Sequence, residues 1–437
     1  MSRIAFTPTR IAFVHPDLGI GGAERLVVDA ALACTSKGHE VHLFTSHHDP
    51  ARCFSETRDG QLPVHVHGSW FPRNIAGRFY AFCAYLRMII TAIAMALFYP
   101  RFDVVVVDQI SACIPFLRIF SPKSKIVFYC HFPDQLLTQR TSLLKRLYRS
   151  PIDWLEERTT GLADTVLVNS KFTAGVFNAT FRSLQHIRPQ VVYPAINVAA
   201  FGSADDNGGG RPRGFARLAL APNTTFLSIN RFERKKNLML ALEALLGLKQ
   251  QLTKAEWEHV RLVLAGGYDE RLPENREYHA ELQQFAQANG LADHVSFKRS
   301  FSDEEKIQLL RSCDCLMYTP TNEHFGIGPL EGMISSRPVI AVNTGGPLET
   351  VVHKRTGFLC NPTSEAFTAA MLEIVRNPDA AEQMGVAGRA RVLDKFSFAA
   401  FADQLEEVVQ NLIEAGPSPA AATADRRRQP SRKAKKL

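Results

Sequence analysis

Short runs of apolar residues alternate with stretches of helical periodicity along two successive halves of the chain. Some runs are continuous rather than alternating, such as the four valines at 104–107, and continuous runs indicate strands buried on both faces. The predicted strands are 10–15, 40–45, 103–108, 125–131, 164–169 and 190–193 in the first half, and 225–231, 261–266, 294–298, 314–318 and 338–342 in the second. This pattern predicts two doubly wound, parallel α/β domains.

Composition shifts mark the domain boundaries. Residues 200–222 lack apolar periodicity and bulk, which is typical of a linker. Residues 396–415 carry apolar positions at helical spacing and predict a closing helix that returns toward the first domain. We therefore expect an N-terminal domain over 1–199, a linker over 200–222, a C-terminal domain over 223–395, the closing helix over 396–415 and a disordered tail over 416–437.

The segment 79–99 is strongly apolar, with Arg87 as its only charge. Its most apolar part, 88–99, would cover only about 18 Å of a hydrocarbon layer about 30 Å thick, so a full crossing would place Arg87 in lipid. A crossing would also separate strands of one sheet. Two interpretations stay open: a core helix before the strand at 103, and a helix that dips into one membrane leaflet.

The net charge is concentrated at one end of the chain. Of 437 residues, 51 are Lys or Arg and 43 are Asp or Glu, a formal charge of +8. The tail 416–437 holds seven basic residues and one acid, a charge of +6, which leaves about +2 for the rest. A nearly neutral body disfavours a nucleic-acid groove, so no nucleic-acid partner is expected.

The cysteines and histidines give no sign of a disulfide framework or a metal site. The eight cysteines include no Cys-x-x-Cys pair, and no secretory signal precedes the first strand, so we expect reduced thiols in a cytosol-facing protein. Zinc-type spacing is missing, and the chain contains no Asp-x-Asp pair of the kind that holds Mg²⁺ or Mn²⁺. No bound metal is expected.

Two candidate positions follow strands of the first half. Gly21 and Gly22 lie in a glycine-rich turn before a helix predicted over 25–36, where backbone N–H groups can approach a phosphate. Glu24 takes the third glycine position of a dinucleotide fingerprint, which disfavours a nicotinamide cofactor, and a simple tight turn stays an alternative. His131 ends a predicted buried strand, where it is either a core group or a substrate contact.

The second half carries a stronger constellation at two strand ends. Arg231 and Lys236 follow the strand at 225, where cations can neutralise a diphosphate. Glu323 and Glu331 bracket a Gly-x-Gly turn at a strand-to-helix junction, and Glu331 is expected on the helix, placed to bind a ribose diol. The later turn 343–349 is interpreted as structural, shaping the same crevice.

These motifs resemble the retaining glycosyltransferases of the GT-B type with a Glu-x7-Glu motif (glycosyltransferase family 4). The match is narrower for 15–24, 130–134, 229–238, 323–327 and 339–349, which resemble the α-1,3/α-1,6-mannosyltransferases of asparagine-linked glycan assembly. It extends from about residue 11 to 415. The resemblance implies two Rossmann-like domains facing a central cleft, the N-terminal one on the acceptor side and the C-terminal one binding the nucleotide sugar.

The resemblance also implies the reaction. Mannose would pass from GDP-mannose, the donor substrate, to a dolichyl-diphosphate-linked GlcNAc2Man core, forming α-1,3 and α-1,6 branches with no cofactor. The site would act at the cytosolic face of the endoplasmic reticulum membrane, where residues 79–99 as a monotopic helix and the basic tail would be two weak anchors. A complex with neighbouring mannosyltransferases is left open.

Residue roles carry over from the resemblance position by position. It implies catalytic roles for Glu323, beside the transferred sugar, and His131. The implied donor-binding residues are Gly21, Gly22, Arg231, Lys236, Gly326, Ile327 and Glu331. Two departures concern the packing of the turn: Gly332 stands where the family usually has alanine, and Gly328 where a larger apolar residue is common.

Other functions are compatible with parts of this sequence pattern. A GT-B transferase using UDP-glucose or UDP-GlcNAc with a lipid acceptor shares the scaffold, and the residues alone do not reveal the base. A sugar-nucleotide epimerase is disfavoured by the Glu-x7-Glu motif. A non-catalytic scaffold is disfavoured because it has no need of Arg231, Lys236, Glu323 and Glu331 together.

Overall fold

A computed structural model describes residues 8–138, 142–202 and 223–416. These described residues divide into two compact units: an N-terminal unit of residues 8–138, 142–195 and 398–416, and a C-terminal unit of residues 196–202 and 223–397. The expected linker 200–222 and tail 416–437 lie almost wholly outside the described residues.

The N-terminal unit is built on a seven-stranded parallel sheet of order β3-β2-β1-β4-β5-β6-β7. Its strands are β1 Arg10–His15, β2 Glu40–Thr45, β3 Val64–Val66, β4 Val104–Asp108, β5 Lys125–Cys130, β6 Thr165–Val168 and β7 Gln190–Val191. Its helices are α1 Gly22–Ser36, α2 Ser55–Arg58, α3 Tyr80–Phe98, α4 Ile114–Phe120, α5 Asp134–Leu137, α6 Leu143–Thr160, α7 Lys171–Thr180 and, from the end of the chain, α16 Phe398–Glu414. Because helices cover both faces, β4 and β5 are almost wholly buried.

The C-terminal unit has a six-stranded parallel sheet of order β10-β9-β8-β11-β12-β13. Its strands are β8 Thr224–Ile229, β9 Val260–Gly266, β10 Val295–Arg299, β11 Cys315–Tyr318, β12 Val339–Val342 and β13 Gly357–Cys360. Its helices are α8 Met239–Gln251, α9 Lys254–Trp257, α10 Pro273–Ala288, α11 Asp303–Ser312, α12 Ile327–Ile334, α13 Pro347–Thr350, α14 Ser364–Arg376 and α15 Pro378–Lys395. The prediction of two doubly wound parallel domains is confirmed.

The closing helix packs within the N-terminal unit. Phe401, Leu405, Val408 and Val409 of α16 are buried in the same core cluster as the apolar face of α1. The returning end of the chain therefore completes the first unit rather than the second.

Helix α3 is a core helix with exposed ends. By length and composition alone it could cross a membrane, but eight of its residues are buried, among them Arg87, Met88 and Met95. The Arg87 guanidinium donates to the Ser46 carbonyl oxygen at 2.6 Å. The middle of α3 therefore follows the core interpretation, and its exposed apolar side chains lie at its first and last turns, with Phe98 among them.

All eight cysteines are buried with free thiols. Burial raises the pKa of the Cys113 thiol to about 12, so it stays protonated and unreactive at neutral pH.

Candidate active site

In the C-terminal unit, the predicted residues gather where the strand order reverses. This point lies between β8 and β11. From β8 the sheet extends through β9 and β10, and from β11 it extends in the opposite direction through β12 and β13. Ligands of open parallel α/β sheets bind at the carboxyl ends of strands at such a point. Arg231 and Lys236 follow β8, and Glu323 follows β11, so the structure brings these three positions to one edge.

Lys236 and Glu323 form an ion pair there. Lys236 ends a single 3-10 turn, Arg234–Lys236, and Thr319, directly after β11, donates its hydroxyl to the Lys236 carbonyl oxygen at 2.7 Å. The Lys236 Nζ donates to Glu323 Oε1 at 2.5 Å, with both side chains only partly exposed. A cation and an anion are thus held side by side at the two strand ends.

The Arg231 side chain is more exposed to solvent than that of Lys236. Its side chain is 63% exposed, and its Nη1 atom is 3.0 Å from Glu233 Oε1. The other Glu233 oxygen is 3.0 Å from Lys235 Nζ, so the Glu233 carboxylate lies between the Arg231 and Lys235 cations. The loop after β8 therefore presents exposed positive charge beside the Lys236–Glu323 pair.

The turn after β11 leads into α12 and leaves the first residue of that helix exposed to solvent. Gly326 has φ of +74°, a left-handed conformation that favours glycine, and it directly precedes Ile327, the exposed first residue of α12. The first N–H groups of a helix have no partner within that helix and attract negative charge. Gly326 and Ile327 therefore place a helix N-terminus directly after Glu323.

Tyr318 explains the two departures in this turn together with Leu316. A Cβ at residue 328 would lie 3.0 Å from Tyr318 Cε2, and a Cβ at residue 332 would lie 2.8 Å from Leu316 Cδ2. Both β11 side chains occupy the space that a larger residue would need. In this chain, glycine at 328 and 332 therefore suits the packing of α12 on β11.

Glu331 lies on α12, as expected, with its carboxylate largely buried. Burial raises its pKa, and Lys306 on α11 opposes that rise by donating to Glu331 Oε1 at 3.0 Å. Lys306 was missed at the sequence level, because a lysine on an amphipathic helix is normally a solvated surface residue. The pairing keeps a buried acceptor group in place beside the turn.

The turn 343–349 packs directly against the loop that carries Glu323. The Gly346 N–H donates to the Glu323 carbonyl oxygen at 2.9 Å. Gly345 has φ of +67°, and a Cβ there would lie 2.5 Å from the same oxygen. The expectation that this turn shapes the crevice therefore agrees with its backbone contacts.

In the N-terminal unit, Gly21 and Gly22 join β1 to α1. Gly21 caps α1, and Gly22 is its first residue, with open space around the position of a Cβ. A Cβ at residue 21 would lie 2.2 Å from Glu24 Oε2, so the Glu24 side chain folds back over the turn. The helix N-terminus is thus already faced by one carboxylate.

His131 belongs to a buried network that the sequence only partly indicated. Asp108 at the end of β4 accepts from His131 Nε2 at 2.8 Å through one oxygen, and contacts His15 Nδ1 at 2.7 Å through the other. Burial opposes ionisation of Asp108, but the two histidines outweigh it and lower its pKa to about 2. His131 follows β5 directly and is partly exposed, whereas the other two side chains are buried.

The network favours the protonated form of His15. Burial alone would lower its pKa, but the Asp108 contact and the nearby Glu24 raise it to about 9. Asp108, His15 and Glu24 were not predicted as site residues. The available signal was that His15 and Asp108 both end strands flanking the reversal of strand order between β1 and β4.

No group of three or more His, Cys, Asp or Glu side chains suited to a metal ion occurs in the part of the chain that the structure describes.

Family models match both halves of the chain. Residues 20–200 match the model described as Glycosyltransferase Family 4, and residues 215–391 match Glycosyl transferases group 1. The alpha-1,3/1,6-mannosyltransferase ALG2 of Homo sapiens is 54% identical over 92% of this chain and 96% of its own length. The enzyme of the same name from Dictyostelium discoideum is 48% identical over 92% and 98%.

The chain belongs to the alpha-1,3/1,6-mannosyltransferase family. It is accordingly a glycosyltransferase, and both the family resemblance and the enzyme class expected from its motifs are confirmed.

Solved structures agree on the fold of this mannosyltransferase family member. Sucrose-phosphate synthase from Thermosynechococcus elongatus superposes with a TM-score of 0.69 at 21% identity, covering 93% of this chain and 99% of that one. The catalytic domain of starch synthase IV from Arabidopsis thaliana gives a TM-score of 0.69 at 16% identity, covering 93% and 100%. The predicted GT-B fold of two Rossmann-like domains is confirmed.

Proposed function

We propose that the protein transfers mannose from GDP-mannose to a dolichyl-diphosphate-linked GlcNAc2Man core, forming α-1,3 and α-1,6 branches with retention at the anomeric carbon. Family membership at 54% identity supports the mannosyl reaction in the synthesis of the N-glycan precursor. The donor, the acceptor and the stereochemistry follow from the resemblance of the motifs.

The Lys236–Glu323 ion pair is the observation that carries the donor proposal. A nucleotide sugar joins a diphosphate to a neutral hexose, so its site needs a cation and a hydroxyl acceptor side by side. Lys236 provides the first and Glu323 the second, 2.5 Å apart. Arg231 and the N-terminus of α12 at Gly326 and Ile327 add positive potential for the diphosphate.

The resemblance of the motifs assigns the remaining donor contacts. The buried Glu331 carboxylate, steadied by Lys306, accepts from the ribose hydroxyls. By that resemblance, Gly21 and Gly22 at the start of α1 are assigned to the diphosphate. His131 contacts the transferred sugar, with its imidazole oriented by Asp108.

Charge stabilisation by side chains and helix ends supports a reaction without a metal. The leaving group is a nucleoside diphosphate, and Lys236, Arg231 and the α12 N-terminus are arranged to stabilise its developing negative charge. We expect transfer to persist in excess EDTA and to be unaffected by added Mg²⁺ or Mn²⁺. Loss of activity in EDTA that Mn²⁺ restores would overturn the metal-free mechanism.

A lipid-linked acceptor implies that the enzyme acts at a membrane surface. We place the enzyme at the endoplasmic reticulum membrane with its site on the cytosolic face, where nucleotide sugars are available. A complex with neighbouring mannosyltransferases is compatible with successive use of one lipid carrier.

The donor is tested by competition. Purified protein with a lipid-linked GlcNAc2Man acceptor is supplied with GDP-mannose, UDP-glucose or UDP-GlcNAc in parallel. We expect mannose alone to be transferred. Consumption of only a UDP-sugar would favour the alternative transferase, and consumption of none by a folded protein would favour a scaffold.

A further inference from the structure

Helix α6 buries charged side chains on its inner face. Arg149 contacts Asp134 at 2.8 Å and Asp153 at 3.0 Å, and all three belong to the packing of α6 on α5. The Glu156 carboxyl oxygens accept the backbone N–H groups of Asp134 at 2.7 Å and Gln135 at 3.1 Å. The polar face of this amphipathic helix therefore points into the protein.

The outer face of the same helix is apolar and exposed. Leu143, Leu144 and Leu147 are 80%, 81% and 73% exposed, and Trp154 is 61% exposed. Positions 143, 147 and 154 share one helix face and extend over about 17 Å. Surface helices of soluble domains normally show the opposite arrangement, with the apolar stripe turned inward.

The start of α3 continues this exposed stripe. The ring of Phe79 lies 5.4 Å from that of Tyr148 on α6, and the Phe82 N–H donates to the Tyr148 hydroxyl at 3.2 Å. Phe79 and Tyr80 are themselves about half exposed. We call the surface formed by Phe79, Tyr80, Leu143, Leu144, Leu147 and Trp154 the α6 apolar surface.

Positive charge accompanies the α6 apolar surface. Lys145 and Arg146 are exposed between its leucines, and Arg78 is exposed beside Phe79. Over residues 69–82 and 142–154 the single acid is Asp153, which is buried against Arg149. Leucine and tryptophan flanked by lysine and arginine is the composition of a helix that lies in the interface of an anionic bilayer.

We propose that the α6 apolar surface docks the N-terminal unit onto an anionic lipid bilayer, with its leucines and Trp154 entering the headgroup region. Helix α5 begins at Asp134, three residues after His131, and is tied to the inner face of α6 through Glu156. Docking therefore holds the His131 strand end close to the membrane. That a lipid-linked acceptor benefits from this placement rests on the proposed function.

Vesicle flotation of the full-length protein tests the docking. The Leu143→Gln/Leu144→Gln/Leu147→Gln variant is expected to bind phosphatidylcholine vesicles containing phosphatidylserine about tenfold or more weakly than wild type, because three exposed apolar side chains are lost. The matched control is Val386→Gln/Leu393→Gln, at exposed apolar positions of α15, and we expect it to bind like wild type. Wild-type binding by the triple variant would overturn the proposal.

Three further variants keep the test decisive. Lys145→Gln/Arg146→Gln is expected to weaken binding to the phosphatidylserine vesicles and to leave binding to pure phosphatidylcholine unchanged. If the triple variant does not melt cooperatively, Leu144→Gln and Trp154→Gln singly replace it, and wild-type binding by both would equally contradict docking.

The failure of docking is distinguishable from failure of the proposed function. Flotation needs neither donor nor acceptor. In transfer assays, the triple variant should retain wild-type rates on a water-soluble short-chain acceptor and lose rate on an acceptor embedded in vesicles. Equal loss on both acceptors would mean that α6 acts on the site itself rather than through lipid, and a wild type inactive on both would reject the proposed function alone.

Discussion

At the scale of single residues, the Lys236–Glu323 pair is the most direct link between geometry and chemistry. We predict that Lys236→Ala and Glu323→Ala each lower kcat/KM by about 100-fold or more, because each removes charge at the position of the diphosphate or the sugar. Steady-state kinetics with GDP-mannose measures this.

The double variant sharpens that test. The effects of two groups that act on one ligand are not additive. The fold loss of kcat/KM in Lys236→Ala/Glu323→Ala should therefore be much smaller than the product of the two single losses. Lys354→Ala, at an exposed position of the same unit, is the control. Near-wild-type activity of both single variants, with unchanged melting temperatures, would show that the site is elsewhere.

The buried His15 predicts a dependence of stability on pH. Its pKa is about 9 in the fold against an ordinary 6.5, so the folded state holds a proton that the unfolded state releases between these values. The stabilisation is complete below pH 6.5 and is lost as pH rises through 9. Glu156, whose pKa burial raises to about 8, acts in the same direction.

Thermal melting from pH 6 to 9.5 checks this sign. The melting temperature of wild type should fall with pH, and His15→Gln should show a shallower fall. His186→Gln, at an exposed position, controls for the loss of an imidazole. An equal slope in wild type and His15→Gln would contradict a protonated His15 in the folded protein.

The residues that could be predicted are those that follow continuous apolar strands. Lys236 and Glu323 were placed at strand ends, but their direct contact spans 87 positions and needs the order of β8 and β11 in the sheet. Lys306 gave no signal, because its partner lies on another helix. Asp108 ends a predicted strand, yet its role depends on two histidines from neighbouring strands.

At the scale of elements, α3 shows why an apolar run does not determine its own environment. We predict that Arg87→Met lowers the free energy of unfolding by about 1–3 kcal/mol, because the Ser46 carbonyl loses its buried donor. Leu97→Gln, at an exposed position of the same helix, should change it far less. A helix seated in lipid would instead be stabilised by loss of the Arg87 charge, and that result would contradict core packing.

The strands missed by the sequence are short and lie at sheet edges. Val64–Val66 has only three residues, and Gly357–Cys360 begins at a glycine where a Cβ would lie 2.0 Å from the Val339 carbonyl oxygen. Neither forms an apolar run long enough to predict a strand. The longer, largely buried strands 10–15 and 40–45 have the predicted boundaries.

At the scale of the whole molecule, most of the net positive charge and the α6 apolar surface lie in different parts of the sequence. The tail 417–437 carries the +6 charge and lies outside the described residues. We predict that its removal weakens binding to anionic vesicles and leaves transfer to a soluble acceptor analogue unchanged. Equal vesicle binding with and without the tail would remove it from the account of membrane attachment.

The return of α16 to the first unit was expected, but its packing partner was not. The apolar positions of 396–415 predicted a helix with one buried face, and periodicity does not say what that face contacts. Its burial with the apolar face of α1 joins residues that are far apart in the sequence, and such a contact follows only from the fold.

The central claim is that this chain makes two mannosyl linkages on a lipid-linked core. The most direct measurement is mass spectrometry of products from purified protein, GDP-mannose and dolichyl-diphosphate-GlcNAc2Man, followed by digestion with linkage-specific α-mannosidases. We predict successive gain of two hexoses, one sensitive to α-1,3 and one to α-1,6 digestion, both abolished in Lys236→Ala/Glu323→Ala. No hexose gain from GDP-mannose, or gain that the double variant retains, would contradict the account.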